Sequence, residues 1–100
     1  MAVNCSGAAQ SWRVWSNLRD RLTEAASKAK TPVYFLQAEN DYDLTPNKVL
    51  SEIVRKAGRV ATAKVYPQFG EGVKDGHAFC VRGVDIWGPE VFSFIETNNN

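Results

Sequence analysis

The segment VYFLQA, residues 33–38, constrains the fold of this chain more than any other stretch. It is apolar at almost every position and begins with β-branched and aromatic residues, which favour strands. Pro32 precedes it and disfavours helical geometry at Thr31, so a helix on its amino-terminal side must end there. A strand that is apolar on both faces needs cover on both faces, which is typical of the central strand of a parallel sheet.

Helical patterns lie on both sides of this strand. Apolar residues recur at helical spacing from Gln10 onward for about five turns, which predicts an amphipathic helix. A second helix is predicted to begin at Thr45, whose side chain can cap free backbone donors, with Pro46 at the first helical position. Gly58 is a natural carboxyl-terminal stop for it.

Two shorter strands and a third helix complete the pattern. AVNC at residues 2–5 predicts a very short strand, and ATAKVY at residues 61–66 alternates in the manner of an edge strand. The glycine-rich segment PQFGEGVKDGH is predicted to be a loop, and GPEVFSFIE a short helix with Pro89 in its first turn and Phe92 facing inward. The alternation predicts an α/β fold with three layers, a short parallel sheet of about three strands between flanking helices.

The composition predicts one globular domain over residues 1–100, with residues 97–100 as a disordered tail. Twelve basic and eleven acidic side chains give a net charge of +1, and neither sign is concentrated in one segment. The chain therefore lacks the charge pattern expected for binding nucleic acid or an anionic membrane, and neither partner is predicted. Without a long apolar run or a signal-peptide pattern, a cytoplasmic location is predicted.

The cysteines and the single histidine limit the chemistry that this chain can perform alone. Cys5 and Cys80 are too few for a disulfide framework and have no metal-ligand spacing, so they are predicted to be buried reduced thiols. A zinc site needs more ligand clustering than one histidine offers. No metal and no cofactor are predicted.

Two polar residues follow neighbouring predicted strands and are expected to meet. Asp41 comes shortly after VYFLQA, and His77 lies in the segment after ATAKVY. Because the carboxyl ends of parallel strands lie at one edge of a sheet, both side chains belong to the same rim. An aspartate that holds the δ nitrogen of a histidine prepares it as a general base. The alternative is that Asp41 is an ordinary turn residue and His77 is solvated; Asp43 is expected to form an Asx turn but could replace Asp41 in the pair.

The segments TPVYFLQAENDYDLTP, KVYPQFGEGVKDGHAF and WGPEVFSFIE, in this order, resemble the carboxyl-terminal part of an α/β-hydrolase, specifically of the dienelactone hydrolase family. NCSGAAQSW is similar to the segment after the sixth strand of that family, so the resemblance runs from about residue 2 to residue 96. Matched by position, Asp41 corresponds to the acid of the family and His77 to its base. The resemblance implies a fragment that holds the last three strands of a larger sheet.

The nucleophile elbow of that family is absent from this chain. A nucleophile normally sits on a sharp strand-to-helix turn upstream of everything present here. NCSGA is superficially similar, with Cys5 or Ser6 as the candidate nucleophile, but Asn4 replaces the first glycine of the motif and the predicted helix begins only near Gln10.

Two functional hypotheses follow from these observations. The preferred one is a non-catalytic or partial hydrolase-like fragment that forms oligomers, because an acid and a base without a nucleophile cannot form an acyl-enzyme. The alternative is a small carboxylic-ester or dienelactone-type hydrolase whose nucleophile comes from another chain, with Asp41 and His77 as acid and base. A bare strand edge predicts a homo-oligomer through AVNC and the face of Trp12 and Trp15, or pairing with a separately encoded amino-terminal half.

Overall fold

A computed structural model of the protein, which describes residues 1–98, contains a parallel sheet with the apolar segment VYFLQA at its centre. Val33 of the middle strand pairs with Ala2 on one side and with Ala61 on the other. The predicted strands and the central position of VYFLQA are confirmed. In spatial order, the strands are β1 (Ala2–Cys5), β2 (Val33–Ala38) and β3 (Ala61–Tyr66).

Helices alternate with these strands, as the sequence predicts. Two short helices that were not predicted lie between β3 and the last helix, inside and just after the glycine-rich segment. The helices are α1 (Ser16–Ser27), α2 (Thr45–Lys56), α3 (Val73–His77), α4 (Phe79–Arg82) and α5 (Val84–Asn98).

The side chains of β2 divide between two apolar clusters, one on each face of the sheet. Tyr34 and Leu36 pack with Phe79 of α4 and Val91 of α5 on one face. Phe35 packs in the cluster on the opposite face. A strand that supplies buried side chains to both faces requires helices on both, and the predicted three-layer α/β arrangement is confirmed.

The second cluster lies between β2 and the helices α1 and α2. Phe35 packs there with Trp12, Leu50 and Val54, and the helix α1 adds only half-buried side chains such as Leu22. None of the twelve residues of α1 is fully buried. The apolar face of α1 is therefore only partly covered by the described chain.

The start of α1 differs from the predicted one. The helix begins at Ser16 and not near Gln10, because the backbone of Trp15 is extended, with φ −116° and ψ 90°. Separate turns precede it, in which the Trp12 amide donates to the Ala8 carbonyl. These turns bury Trp12, whereas 63% of Trp15 is exposed, so the two tryptophans do not share one exposed face.

The start of α2 is also capped differently from the prediction. Thr45 is the first helical residue and not the cap, and Pro46 is therefore in the second position. The Asp43 carboxylate accepts a hydrogen bond of 2.9 Å from the Thr45 amide and takes over the capping role. Gly58 follows the helix with a φ of 85°, a left-handed conformation that favours glycine, so the predicted stop is confirmed.

The last helix is longer than predicted. Pro89 lies inside α5 and not in its first turn, since the helix already begins at Val84. Phe92 was predicted to face inward but is 66% exposed. The predicted disordered tail is wrong for Thr97 and Asn98, which belong to α5, and its residues 99 and 100 lie outside the described part of the chain.

A disulfide bond joins Cys5 to Cys80, so the prediction of reduced thiols is wrong. Cys5 ends β1 and Cys80 lies in α4, and their Cα atoms are 5.8 Å apart, within the range that a disulfide spans. The bond encloses a sequence separation of 75 residues. Residues so far apart in sequence meet only through the fold, so local spacing gave no sign of the pairing.

Within residues 1–98, no helix combines the length and the apolar content that a membrane-crossing helix requires.

Removing the disulfide should lower the free energy of unfolding. For a closed loop of about 75 residues, the chain-entropy relation gives a loss of about 4.5 kcal/mol at 25 °C. Urea denaturation at neutral pH would compare the wild type with Cys5→Ala, Cys80→Ala and the double variant. The three variants should lose similar amounts, because each breaks the same bond. A reduced wild type as stable as the oxidised protein would contradict the expectation.

Candidate functional site

The histidine and one aspartate meet at the carboxyl-terminal edge of the sheet. Asp41 lies in the turn after β2, and His77 is the last residue of α3, which follows β3. The Nδ1 atom of His77 is 2.9 Å from Oδ1 of Asp41. The predicted contact between these two side chains is therefore present, and their roles as acid and base stay predictions.

The Asp41 carboxylate is wholly buried and receives several hydrogen bonds. Its Oδ1 accepts from the Tyr42 amide at 2.7 Å as well as from His77, and its Oδ2 accepts from Nε2 of Gln37 at 3.1 Å. The side chain has 0% exposure. A buried carboxylate needs hydrogen-bond donors, and here donors on both oxygens hold it in one orientation.

This arrangement fixes which nitrogen of His77 carries the proton in the neutral imidazole. A carboxylate only accepts hydrogen bonds, so Nδ1 is the donor and Nε2 is left with its lone pair. The His77 side chain is 35% exposed, and the ring of Tyr42 packs edge-on at 5.4 Å between centroids. An imidazole with this tautomer and an accessible edge can accept a proton from a neighbouring hydroxyl or thiol.

Short contacts between α3 and the turn after β2 bring His77 to this position. A Cβ atom on Gly76 would lie 2.5 Å from the backbone of Asn40, so only glycine permits this approach. Asn40 also clamps the preceding loop, since its Oδ1 accepts from the Phe69 amide and its Nδ2 donates to the carbonyls of Phe69 and Gly72. The predicted loop is therefore partly helical and is tied to the turn after β2 by side-chain hydrogen bonds.

Asp43 is not the partner of His77. Its carboxylate accepts from the Thr45 amide in an Asx turn, as predicted, and its Oδ2 lies 3.4 Å from Nε of Arg13. The sequence allowed either aspartate to pair with His77, and Asp41 is the one that contacts the imidazole.

The structure does not bring either candidate nucleophile to the imidazole. Cys5 is bonded to Cys80, and the Oγ of Ser6 lies 3.3 Å from the Cys80 sulfur. Since a disulfide sulfur has no hydrogen to give, the Ser6 hydroxyl is the donor in that contact. In the described part of the chain, no hydrogen bond joins His77 to Ser6 or Cys5.

Ser6 nevertheless has the backbone of a sharp turn. Its φ is 59°, an uncommon conformation for a residue with a side chain, and the adjacent turn is closed by the Asn4 Oδ1, which accepts from the Gly7 amide at 2.9 Å. Ser6 is 4% exposed, however, and a helix follows only at Ser16. The turn therefore holds the serine inside the protein and does not present it as an elbow does.

Two positioning residues were missed by the sequence analysis. Gln37 orients Asp41, and Asn40 positions the loop that leads to His77. A usable signal existed for Gln37, because it is the only strongly polar residue in VYFLQA. A polar side chain in a strand buried on both faces needs a buried partner.

Neither Tyr66, at the end of β3, nor any cluster of ligands among residues 1–98 adds a further proton acceptor or a metal site. Burial raises the pKa of the Tyr66 phenol, and its hydrogen bond with Tyr34 at 3.0 Å raises that pKa further, so Tyr66 stays protonated at neutral pH. Across residues 1–98, no group of three histidine, cysteine or carboxylate side chains is arranged to hold a metal ion.

Comparisons with family models, with curated proteins and with solved structures give no match for this chain. The resemblance to dienelactone hydrolases therefore depends on the sequence segments quoted above.

The tautomer of His77 is a direct test of this geometry. At a pH where the imidazole is neutral, a long-range ¹H–¹⁵N spectrum should show the proton on Nδ1. Asp41→Asn should increase the population with the proton on Nε2, because an amide can donate as well as accept. Asp43→Asn is the matched control, since Asp43 does not touch the ring, and should leave the spectrum unchanged. A wild-type imidazole protonated mainly on Nε2 would contradict the assigned hydrogen bond.

Proposed function

We propose that this chain carries the acid and the base of an ester-hydrolase site whose nucleophile belongs to another chain. The observation that carries the proposal is the 2.9 Å contact between His77 Nδ1 and the wholly buried carboxylate of Asp41. The substrate class implied by the resemblance is a carboxylic ester or a dienelactone. No metal or organic cofactor is needed for this chemistry.

The roles of the two residues follow from their hydrogen bond. His77 Nε2 takes the proton from an incoming serine hydroxyl or cysteine thiol as that atom attacks the ester carbonyl carbon. The Asp41 carboxylate stabilises the resulting imidazolium without taking the proton. The imidazolium then protonates the leaving alcohol, and an acyl-enzyme remains on the other chain. Water, deprotonated by His77, releases the acid in the second half of the reaction.

The need for a second chain is supported by the state of the local nucleophile candidates. Cys5 cannot act as a thiolate while it is bonded to Cys80, and Ser6 is buried against that disulfide. The free edge of β1 offers a place for another polypeptide, because β1 pairs only with β2 among residues 1–98. A separately encoded amino-terminal half of the same fold would add its strand there and bring its elbow to the rim that holds His77.

The cytoplasmic location stays a prediction. A disulfide such as that between Cys5 and Cys80 is unusual in the cytoplasm, where thiols are kept reduced, so this bond stands against the predicted location.

Complementation would test the catalytic proposal. The chain would be mixed with a separately expressed amino-terminal half of a dienelactone hydrolase, ended before its sixth strand, and the hydrolysis of p-nitrophenyl acetate would be measured. We expect activity only when both polypeptides are present. Asp41→Asn should reduce kcat by about 10⁴-fold, because the imidazole loses its tautomer preference and its anionic support.

The controls for this assay use residues at the same rim. Asp43→Asn should leave kcat within about twofold of the wild type, since Asp43 supports the turn and does not contact the imidazole. His77→Ala should remove the activity. Hydrolysis that survives His77→Ala would exclude the proposed mechanism.

A second candidate function is a non-catalytic module that forms homo-oligomers. In this module the Asp41–His77 pair is retained but catalyses no reaction. The module is favoured because, in the described part of the chain, no serine or cysteine is hydrogen-bonded to His77. The partly covered face of α1, the exposed Trp15 just before that helix and the exposed Val3 in β1 are apolar surface that a second copy would cover. Trp12 cannot contribute directly, since it is 7% exposed.

Size-exclusion chromatography with light scattering would test this module. The wild type should have a mass above that of its 11.1 kDa chain at micromolar concentration. Val3→Lys places a charge at the free edge of β1 and should give a monomer. Val60→Lys is the matched control, because Val60 is similarly exposed but precedes β3 at the other edge of the sheet. A monomeric wild type would exclude the oligomeric module.

A further inference from the structure

The outer edge of β1 presents a short row of unpaired backbone groups. The Ala2 and Ser6 amides donate to carbonyls on the side of β2, at 2.9 and 3.0 Å. In a strand, the N–H and C=O groups of one residue point to one side and those of the next residue to the opposite side. The N–H and C=O groups of Val3 and Cys5 therefore point away from β2, toward a side on which β1 has no neighbour within residues 1–98.

These groups match an antiparallel copy of the same edge. In an antiparallel ladder, two facing residues can exchange two hydrogen bonds. Val3 of one copy opposite Cys5 of the other forms such a pair, and a two-fold axis forms it twice, so every outward group of both residues is used. A register shifted one way needs Met1, which lies outside β1, and one shifted the other way needs the Gly7 amide, which already donates to Asn4 Oδ1. The strand therefore favours the register with Asn4 on the axis.

The side chain of Asn4 supports the same register. Its Oδ1 accepts from the Gly7 amide at 2.9 Å, and its Nδ2 has no hydrogen-bond partner among residues 1–98. Facing residues outside the hydrogen-bonded pairs approach most closely, with their side chains on one face of the sheet. On the axis, each Asn4 Nδ2 can donate to Oδ1 of the other copy, which has a second lone pair. No residue of β1 is charged, so the two strands do not repel each other.

Apolar surface lies on both faces of this edge. Val3 is 43% exposed, and in this register it lies beside Cys5 of the second copy. On the other face, a groove of about 500 Å³ between α1 and β1 is lined by the half-buried apolar side chains of Leu22, Ala26 and Val33. The second copy brings its own α1 to the same face of the joined sheet. Because two short strands alone pair only marginally, burial of this apolar surface is needed to stabilise the dimer.

We propose that a second copy of this chain occupies the edge, with the two β1 strands antiparallel and Asn4 on the two-fold axis. The two sheets of three strands then form one sheet of six. The inference rests on the second candidate function, the homo-oligomeric module, and adds its interface and register.

This dimer has a consequence for the rim that holds His77. Since the two β1 strands run in opposite directions, the two rims lie at opposite edges of the joined sheet, and neither copy can bring a group to the His77 of the other. The second copy also covers the edge that an amino-terminal half would need. The homodimer and the two-chain hydrolase are therefore alternative states of one edge.

A half-filtered NOE spectrum tests the register. Dimers would be formed from equal amounts of ¹³C-labelled and unlabelled chains. We expect a contact between the Hα atoms of Asn4 in the two copies, since facing residues outside the hydrogen-bonded pairs bring these atoms together. The register shifted toward Met1 would instead bring the Hα of Ala2 to the Hα of Asn4.

Val3→Pro tests the backbone pairing. It removes an N–H group that points away from β2, and proline is tolerated at such positions of edge strands, so the monomer should stay folded. The Kd of the dimer, measured by light scattering over a dilution series, should rise at least about tenfold because two hydrogen bonds between the copies are lost. Val65→Pro is the matched control, since the Val65 N–H also points away from β2 but lies in β3, and should leave the Kd within about twofold.

Asn4→Asp tests the contact on the axis. The carboxylate still accepts from the Gly7 amide, but it removes the donor between the copies and sets two negative charges opposite each other. At neutral pH, the Kd of the dimer should rise at least about tenfold. The dispersion of backbone amide signals reports whether each variant is folded.

The possible failures have different meanings. A dimer that shows the contact between Ala2 and Asn4, or no contact between the two Asn4 residues, overturns this proposal and leaves the oligomeric module standing. Wild-type affinity in a folded Val3→Pro or Asn4→Asp protein does the same. A monomeric wild type overturns both, and if it binds an added amino-terminal half of a dienelactone hydrolase, the edge belongs to that half.

Discussion

The buried carboxylate of Asp41 is the interaction on which the geometry of the rim depends. A charged group removed from water must be paired with donors, and here those donors come from β2 through Gln37, from the turn through the Tyr42 amide, and from α3 through His77. One group therefore ties the end of β2 and the turn after it to α3, which lies 36 residues further along the chain. Asn40, which clamps the loop before α3, completes this set of ties.

The strands and their order could be predicted from the sequence because each depends on a local pattern. VYFLQA is apolar on both faces, and the alternation of elements favours parallel pairing. The start of α1 could not be predicted in this way. Residues before it also have apolar side chains at helical spacing, but the extended backbone at Trp15 separates them from the helix. The turns before this break bury Trp12 against Phe35, Leu50 and Val54, and these contacts depend on residues distant in sequence.

The meeting of Asp41 and His77 could also be predicted, because parallel strands deliver their loops to one edge. The side-chain contacts that support this pair could not be predicted from the sequence. Gln37 and Asn40 act through side-chain hydrogen bonds whose partners lie up to 32 residues away in sequence. The disulfide was missed for the same reason, since the two cysteines are 75 residues apart and show no motif. The contribution of these residues depends on the folded arrangement and not on neighbours in the sequence.

The disulfide has a topological consequence for the rim. By joining Cys5 to Cys80, it closes a covalent loop that contains β2, α2, β3, Asp41 and His77. A protease that cuts the backbone once inside this loop leaves both fragments attached through sulfur. The acid and the base would thus stay on one covalently connected molecule after a nick in any of the connecting segments between them.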